Sequence, residues 1–428
     1  MGNGLESRFD SYSDKIAGAL MHADRDQPCR WYLKGLLLPG KRKSVEPMAA
    51  RVQPDKVRSA HQSMHHLVAD SPWSDRAVLS AVAEQVLPEL LADESPVWWI
   101  IDDTGFPKRG KHSVGVARQY CGQTGKRDNC QIAVSLSIAN ARGSLPIGYQ
   151  LYLPREWAED DERRDRCGVP EEVVFESKPA LAMRQIEAAL SAGHRRGVVL
   201  ADAAYGGDTA WREQLAGHGL SYAVAVRSTT TVWWGDHQPV PEPEPAPTHR
   251  RGRSRCRVQR DAHHQPISVI DLARGLPQRA WHEVSWREGV GGTLSSRFAR
   301  VRMRAAHRDR PRDEEWLIIE WPEGAEEPAH YWFSNLAKSI TWKAMIDTVM
   351  GRWRIERDYQ ELKQELGLGQ YEGRNWRGFH HHASLCIAAY GFLLLERLSG
   401  SKKNAARFEA PALPKNYRPR GARSHAAS

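Results

Sequence analysis

The chain is expected to fold as an α/β protein, with a mixed sheet flanked by helices, a helical N-terminal domain and an inserted β-rich subdomain. Three observations predict this. Residues 1–95 carry apolar residues at helical spacing, residues from 97 onward switch to strand patterns broken by one helix, and a Pro/Arg-rich break at 239–257 sits inside a region of β-branched and Trp-rich fragments. With 428 residues, 41% of them hydrophobic, the chain can bury a substantial core in two or three domains.

In order, "SDRAVLSAVAEQVLPELLAD" places Val78, Leu79, Val82, Val86, Leu87 and Leu90 three and four residues apart behind a Ser74 cap, which predicts an amphipathic helix. The basic, turn-punctuated "LLLPGKRKSVEPMAARV" precedes it, so residues 1–95 read either as a DNA-binding module or as a helical bundle that simply packs. "VWWII" at 97–101 is a buried strand. "QIAVSLSIA" alternates Ile132, Val134, Leu136 and Ile138 with small or polar residues, and "PIGYQLYL" reads as its neighbour. The helix "KPALAMRQIEAALSAG" follows, then the strand of "GVVLADAAYGGD" ending on Asp202, and then "SYAVAVR". The expected order is therefore three strands, a helix and two strands, within a core segment 96–227. The insertion spans 228–335, a second core segment spans 336–398, and a basic flexible tail fills 399–428.

Lys and Arg outnumber Asp and Glu by 61 to 52, which favours a polyanionic partner. The six cysteines form no CxxC pair, so neither a zinc ribbon nor a disulfide framework is indicated, and reduced thiols fit best. "MGNGLESRFD" lacks the apolar core of a signal peptide, and Glu6 departs from the myristoylation pattern. The apolar run at 383–395 is too short to span a bilayer, so a soluble intracellular protein is expected.

Candidate chemistry begins where the first strand stops. Asp102 and Asp103 either start a solvated turn or hold a divalent cation over a phosphate, with Lys108, Arg109 and Lys111 nearby. Strand alternation puts Asp102 on the face opposite Asp103, which suits a capping or supporting role. Downstream, "GRWRIERDYQELKQELGLGQYEGR" predicts a helix whose Ile355, Tyr359, Leu362 and Leu366 form a buried stripe. At about 100° per residue, Arg352, Glu356 and Lys363 line the stripe beside it while Glu361 faces solvent. Taken alone, Arg352 and Glu356 are a surface i, i+4 ion pair. Taken together, Asp at the end of one strand, Asp202 at the end of another and Glu356 on a late helix can meet at one sheet edge. Three carboxylates there require neutralising cations, Mg²⁺ or Mn²⁺.

The segments "IDDTGFPKRGKHSVGVARQYCG", "LADAAYGGD" and "RWRIERDYQELK" resemble, in order, the three acidic motifs of the DDE transposases of bacterial insertion sequences, and the resemblance covers roughly residues 95–395. It implies an RNase H-like core and a catalytic, metal-holding triad of Asp103, Asp202 and Glu356 that takes two Mg²⁺ ions, with Mn²⁺ as a substitute. It also implies cleavage at terminal inverted repeats and strand transfer into target DNA, by a homodimer in a synaptic complex, in the bacterial cytoplasm and away from membranes. The hairpin-forming subgroup has a Tyr, Arg, Glu, Lys signature around its third acid. Arg352 and Lys363 match it as phosphate-binding residues, but Val349 stands where the tyrosine would be. Lys108, Arg109 and Lys111, with Arg250, Arg251, Arg253, Arg255 and Arg257 of the Pro/Arg-rich segment, complete the expected DNA contacts. A junction resolvase, or a DNA-binding protein without catalysis, would keep part of these features.

Other residues have plainer readings. "FHHH" at 379–382 precedes an apolar helix, and its histidines point in different directions, which disfavours metal ligation. Cys121 and Cys130 bracket a polar hairpin tip. Trp233, Trp234, Trp321 and Trp332 either fill cores or stack on an unpaired base.

Overall fold

A computed structural model of the chain describes residues 3–241, 258–289, 292–307, 310 and 312–403. Arg250, Arg251, Arg253, Arg255 and Arg257, the prolines beyond Pro241 and most of the basic tail lie outside the described residues. The N-terminal region is helical: α1 (Asn3–Gly18), α2 (Asp26–Leu37), α3 (Val45–Val52), α4 (Val57–Ala69) and α5 (Asp75–Leu90). The predicted cap of α5 forms, with the Ser74 hydroxyl accepting the Ala77 N–H at 3.2 Å, and its six spaced apolar residues are all buried.

The next elements are β1 (Trp98–Pro107), β2 (Ala117–Cys121), β3 (Lys126–Ala139) and β4 (Ser144–Leu151), then the short helices α6 (Arg155–Ala158) and α7 (Asp161–Cys167), and α8 (Lys178–Ser191). Long β3 pairs antiparallel with β1, β2 and β4. β2 is the one strand here that the sequence reading leaves out. Its first four residues alternate between partly buried and exposed, and Cys121 alone is buried, so it carries little apolar signal, yet it closes the expected hairpin over Gly122–Gly125, where Gly125 adopts φ 68°. β5 (Val198–Ala201), α9 (Ala203–Gly206), α10 (Thr209–Gly217), β6 (Tyr222–Ala225), β7 (Thr231–Trp233), β8 (Ile267–Ser268), α11 (Val269–Gly275), β9 (His282–Gly289), β10 (Gly292–Ala305), β11 (Glu314–Trp321), β12 (His330–Ser334) and α12 (Trp342–Met350) follow. The described chain ends with α13 (Trp353–Gln364) and α14 (Trp376–Lys403).

These elements pack as two units. The first takes the described residues of Met1–Gly197 and Arg352–Ala410, the second those of Val198–Gly351. In the second, β5 runs parallel to β6, and β6, β12, β11 and β10 continue as an antiparallel sheet to which β9 and β7 also pair. Trp233 and Trp332 are buried in this unit, which is the core-filling reading, whereas Trp321 is only partly buried and stands edge-on to Trp281 at 5.4 Å. Gly206 ends α9 against β6 so closely that a Cβ there would sit 2.0 Å from the Ala225 carbonyl oxygen, which is why the "DAAYGGD" turn needs a glycine at that point.

In the first unit α14 is the shared core element, packed on α1, α2, α4, α5 and β4. By length and composition alone Trp376–Gly400 could cross a membrane, but 67% of its most apolar window is buried inside the protein, as a core helix requires. The helix is longer than its apolar run at 383–395 suggests. Its N-terminal turns carry the three histidines, all buried and each bonded to a different segment. His380 accepts the Leu151 N–H at 3.2 Å, His381 sits between the Val68 and Trp73 carbonyl oxygens at 3.0 and 2.9 Å, and His382 bonds the Gly367 carbonyl oxygen at 2.9 Å and the Tyr32 hydroxyl at 2.8 Å. They diverge as expected and act as polar fasteners of the core.

Burial lowers the pKa of His380, and those of His381 and His382 to about 4, even though carbonyl partners pull the other way. An unfolded imidazole titrates near ~6.5, so at intermediate pH the unfolded chain binds the extra protons. The stabilisation is complete above that value and is lost as pH falls toward 4. Urea denaturation of the full chain between pH 6 and 4.5 is expected to show stability falling by about 1.4 kcal/mol per pH unit for each of His381 and His382. His382→Gln should flatten the slope by one proton, and an unchanged slope would show that His382 is not held neutral.

Candidate active site

β1 carries its apolar run to Ile101 and then presents two carboxylates in succession. Adjacent anions repel, and the strand separates them by alternation, sending consecutive side chains to opposite faces. Each then meets a cation from a distant part of the same unit. Asp102 lies on the face toward which buried Tyr359 of α13 turns, beside Ser135 and Thr104. Its Oδ1 accepts a hydrogen bond from Arg352, the residue just before α13, at 2.5 Å. Asp103 accepts from the ammonium of Lys178, the first residue of α8, at 2.6 Å. The side chains of Asp102, Asp103, Arg352 and Lys178 are between 18% and 27% exposed, so both pairs sit partly out of water, where they count for more than surface pairs.

Glu356 lies in the first turn of α13, with its side chain 47% exposed and one carboxylate oxygen 3.9 Å from Arg352. Arg352 thus spans Glu356 and Asp102. The predicted buried stripe is present, since Ile355, Tyr359, Leu362 and Leu366 are all buried. Glu361 departs from expectation. It does not face solvent: its side chain is 16% exposed and paired with Arg397, because α14 covers that side of α13. Asp358, two residues after Glu356, is also buried. It accepts a hydrogen bond from Ser144, and burial raises its pKa. Lys363 leans back on β1, with Nζ 3.3 Å from the Gly105 carbonyl oxygen and 5.5 Å from the centre of the Phe106 ring.

In the second unit Asp202 follows β5 immediately and caps α9, its Oδ1 accepting the Ala204 N–H at 2.9 Å. Among the described residues, no group of three or more His, Cys, Asp or Glu side chains stands ready to hold a metal ion. Of the other expected DNA contacts, Lys108 is partly buried and donates to the Tyr371 carbonyl oxygen at 2.9 Å, and burial lowers its pKa. Arg109 and Lys111 are exposed. Lys178 escaped the sequence reading. Ser177 and Pro179 mark a helix start there, but nothing local links that start to Asp103.

The pair between Asp102 and Arg352 is open to a double-mutant cycle. With Asp102→Asn and Arg352→Ala made singly and together, denaturation should give a coupling of about 1–3 kcal/mol, the range for a partly buried hydrogen bond between charged groups. A coupling below about 0.3 kcal/mol would mean that Arg352 does not anchor α13 to β1.

Residues 15–293 match the family described as "DDE superfamily endonuclease", a span that includes Asp103 and Asp202 and stops before Glu356. A protein of Microchaete diplosiphon named "Probable transposase for insertion sequence element IS701" is 29% identical to this chain over 220 residues, or 47% of this chain and 53% of that protein. The chain spans about half the length of this curated relative. Because the family match covers well over half of the chain, the protein belongs to the DDE superfamily endonucleases.

Proposed function

We propose that the protein is a cut-and-paste transposase that cleaves DNA at the terminal inverted repeats of its element and transfers the freed strand into target DNA. The observation that carries this reading is the pair of aspartates at the end of β1, inside a family-matched segment, with one carboxylate held by Lys178 and the other tied through Arg352 to the Glu356 helix. The core is inferred to be RNase H-like and interrupted by the β-rich residues 228–335. Two copies would bridge two DNA ends, in the bacterial cytoplasm at the nucleoid.

Asp103, Asp202 and Glu356 are assigned as the acidic triad. Their donors are all hard carboxylate oxygens, which fit Mg²⁺ or Mn²⁺ and not a thiolate or imidazole site. Such ions, when bound, supply the Lewis-acid chemistry by which water and then a 3′-hydroxyl attack a phosphodiester. The protein's own groups align and balance charge. Lys178 holds Asp103 in place through its hydrogen bond, and a cation arriving at Asp103 competes with that ammonium. Arg352 sets the position of α13 through Asp102, and contacts a DNA phosphate only by sharing or exchanging that partner. Lys363 is placed beside β1 to do the same.

The test is a plasmid carrying the element ends, incubated with protein and Mg²⁺ and resolved on a gel. Asp103→Asn, Asp202→Asn and Glu356→Gln are each expected to abolish excision and joining while leaving end binding within a few-fold of wild type. Glu361→Gln should lower stability through the lost Arg397 pairing and leave the chemistry active. Joining by the Glu356→Gln protein would remove Glu356 from the triad. Cutting of branched DNA alone would indicate a resolvase, and a mobility shift without cleavage would indicate a binding protein.

A further inference from the structure

The first unit holds a second basic feature, separate from the carboxylates. A pocket of about 510 Å³ lies where the loop between α2 and α3, the exit of β1 and the segment after α13 come together, and it is lined by Lys41, Arg42, Lys108, Arg109, His112 and Arg374. Its one acid is Glu372, 3.1 Å from Arg42, with both side chains about 70% exposed, so that this pair offsets little of the positive charge.

The pocket walls are tied together by bonds among all three segments, one of them from the Lys108 ammonium to the Tyr371 carbonyl oxygen. The buried Lys43 ammonium donates to the Leu36 carbonyl oxygen at 2.6 Å, and the Lys43 N–H donates to Gln370 Oε1 at 2.7 Å, which ties the first loop to the third segment. Asn129 Nδ2 donates to the carbonyl oxygens of Lys108 at 2.7 Å and Gly110 at 3.0 Å, and the Val114 N–H donates to the Arg374 carbonyl oxygen at 2.9 Å. Lys41, Arg42, Arg109, His112 and Arg374 are exposed on this rigid frame. A preorganised rim of exposed cations, with no buried donors aimed at a single point, suits a repeating polyanion better than one enclosed small phosphate.

We propose that this pocket grips the phosphodiester backbone of duplex DNA and positions the duplex without reading its sequence. The proposal rests on the transposase reading and adds residues to it: Lys41, Arg42 and Arg374 come from segments outside the three acidic motifs and His112 from within the first, and the loop between α2 and α3 thereby contributes to the same DNA track as β1.

The experiment compares wild type, the triple variant Lys41→Ala/Arg42→Ala/Arg374→Ala and, as a control, Arg279→Ala at an exposed arginine of the second unit, as full chains. Fluorescence anisotropy is read with a labelled duplex bearing an element end and with a scrambled duplex of equal length, across a salt series. The triple variant should bind both duplexes more weakly by the same factor, roughly 10- to 100-fold at physiological salt, and its log–log salt slope should be shallower by about 2.7, as three lost phosphate contacts require. Arg279→Ala should match wild type. Thermal melts should coincide, because the three side chains are exposed. A triple variant with wild-type affinity and slope overturns the pocket and leaves the transposase reading standing. A loss confined to the element-end duplex overturns the backbone assignment, and wild-type protein that binds neither duplex overturns both readings.

Discussion

The first unit is organised around a repulsion. A strand that buries five apolar residues and then sets two carboxylates side by side would be unstable if both faced one way, and β1 avoids this by sending one to each face of its sheet. Each face must then be covered by an element that brings a cation. The start of α8 supplies Lys178 on one side and the approach to α13 supplies Arg352 on the other. These two cations fix where two helices begin against the sheet, and thereby where Glu356 stands. The charge arrangement that suits the site to chemistry is also the one that locates its walls.

Much of the local structure was legible because it depends on period. The cap and stripe of α5, the alternation of β3 and the buried stripe of α13 all follow from side-chain spacing that the chain carries within a dozen residues. Asp202 after β5, on a turn requiring Gly206, was legible for the same reason. What periodicity cannot supply is the identity of the neighbour. It separates the apolar side of α13 from the rest, but it does not reveal that α14 lies over Glu361 with Arg397, or that Asp358 is enclosed beside Ser144. The partners of Asp102 and Asp103 lie 250 and 75 residues away, and no local pattern encodes such pairings. β2 was missed for the opposite reason: apart from buried Cys121 it is a strand by pairing more than by burial.

The histidines show how one residue type answers to its surroundings. Three in a row suggest metal, yet helix geometry turns them about 100° apart, so each meets a different part of the core and spends its ring nitrogens on backbone or hydroxyl partners. The same reasoning holds at the basic pocket in reverse. Lys43 is buried with its ammonium donating to the Leu36 and Leu38 carbonyl oxygens, and its neighbours Lys41 and Arg42 stay exposed because Lys43 holds the loop that displays them.

α14 also sets a timetable for synthesis. Tyr12 bonds the Ala388 carbonyl oxygen at 2.7 Å, so the N-terminal helices complete their packing only with a helix made near the other end of the described chain. At roughly 5–20 residues per second the ribosome needs roughly 10–35 s to pass from the end of α8 to the start of α14. During that interval the parts of α5, α2 and β4 that α14 will bury lack their partner. A message stopped within this window yields a product whose N-terminal helices lack their α14 cover and with it the Glu356 segment.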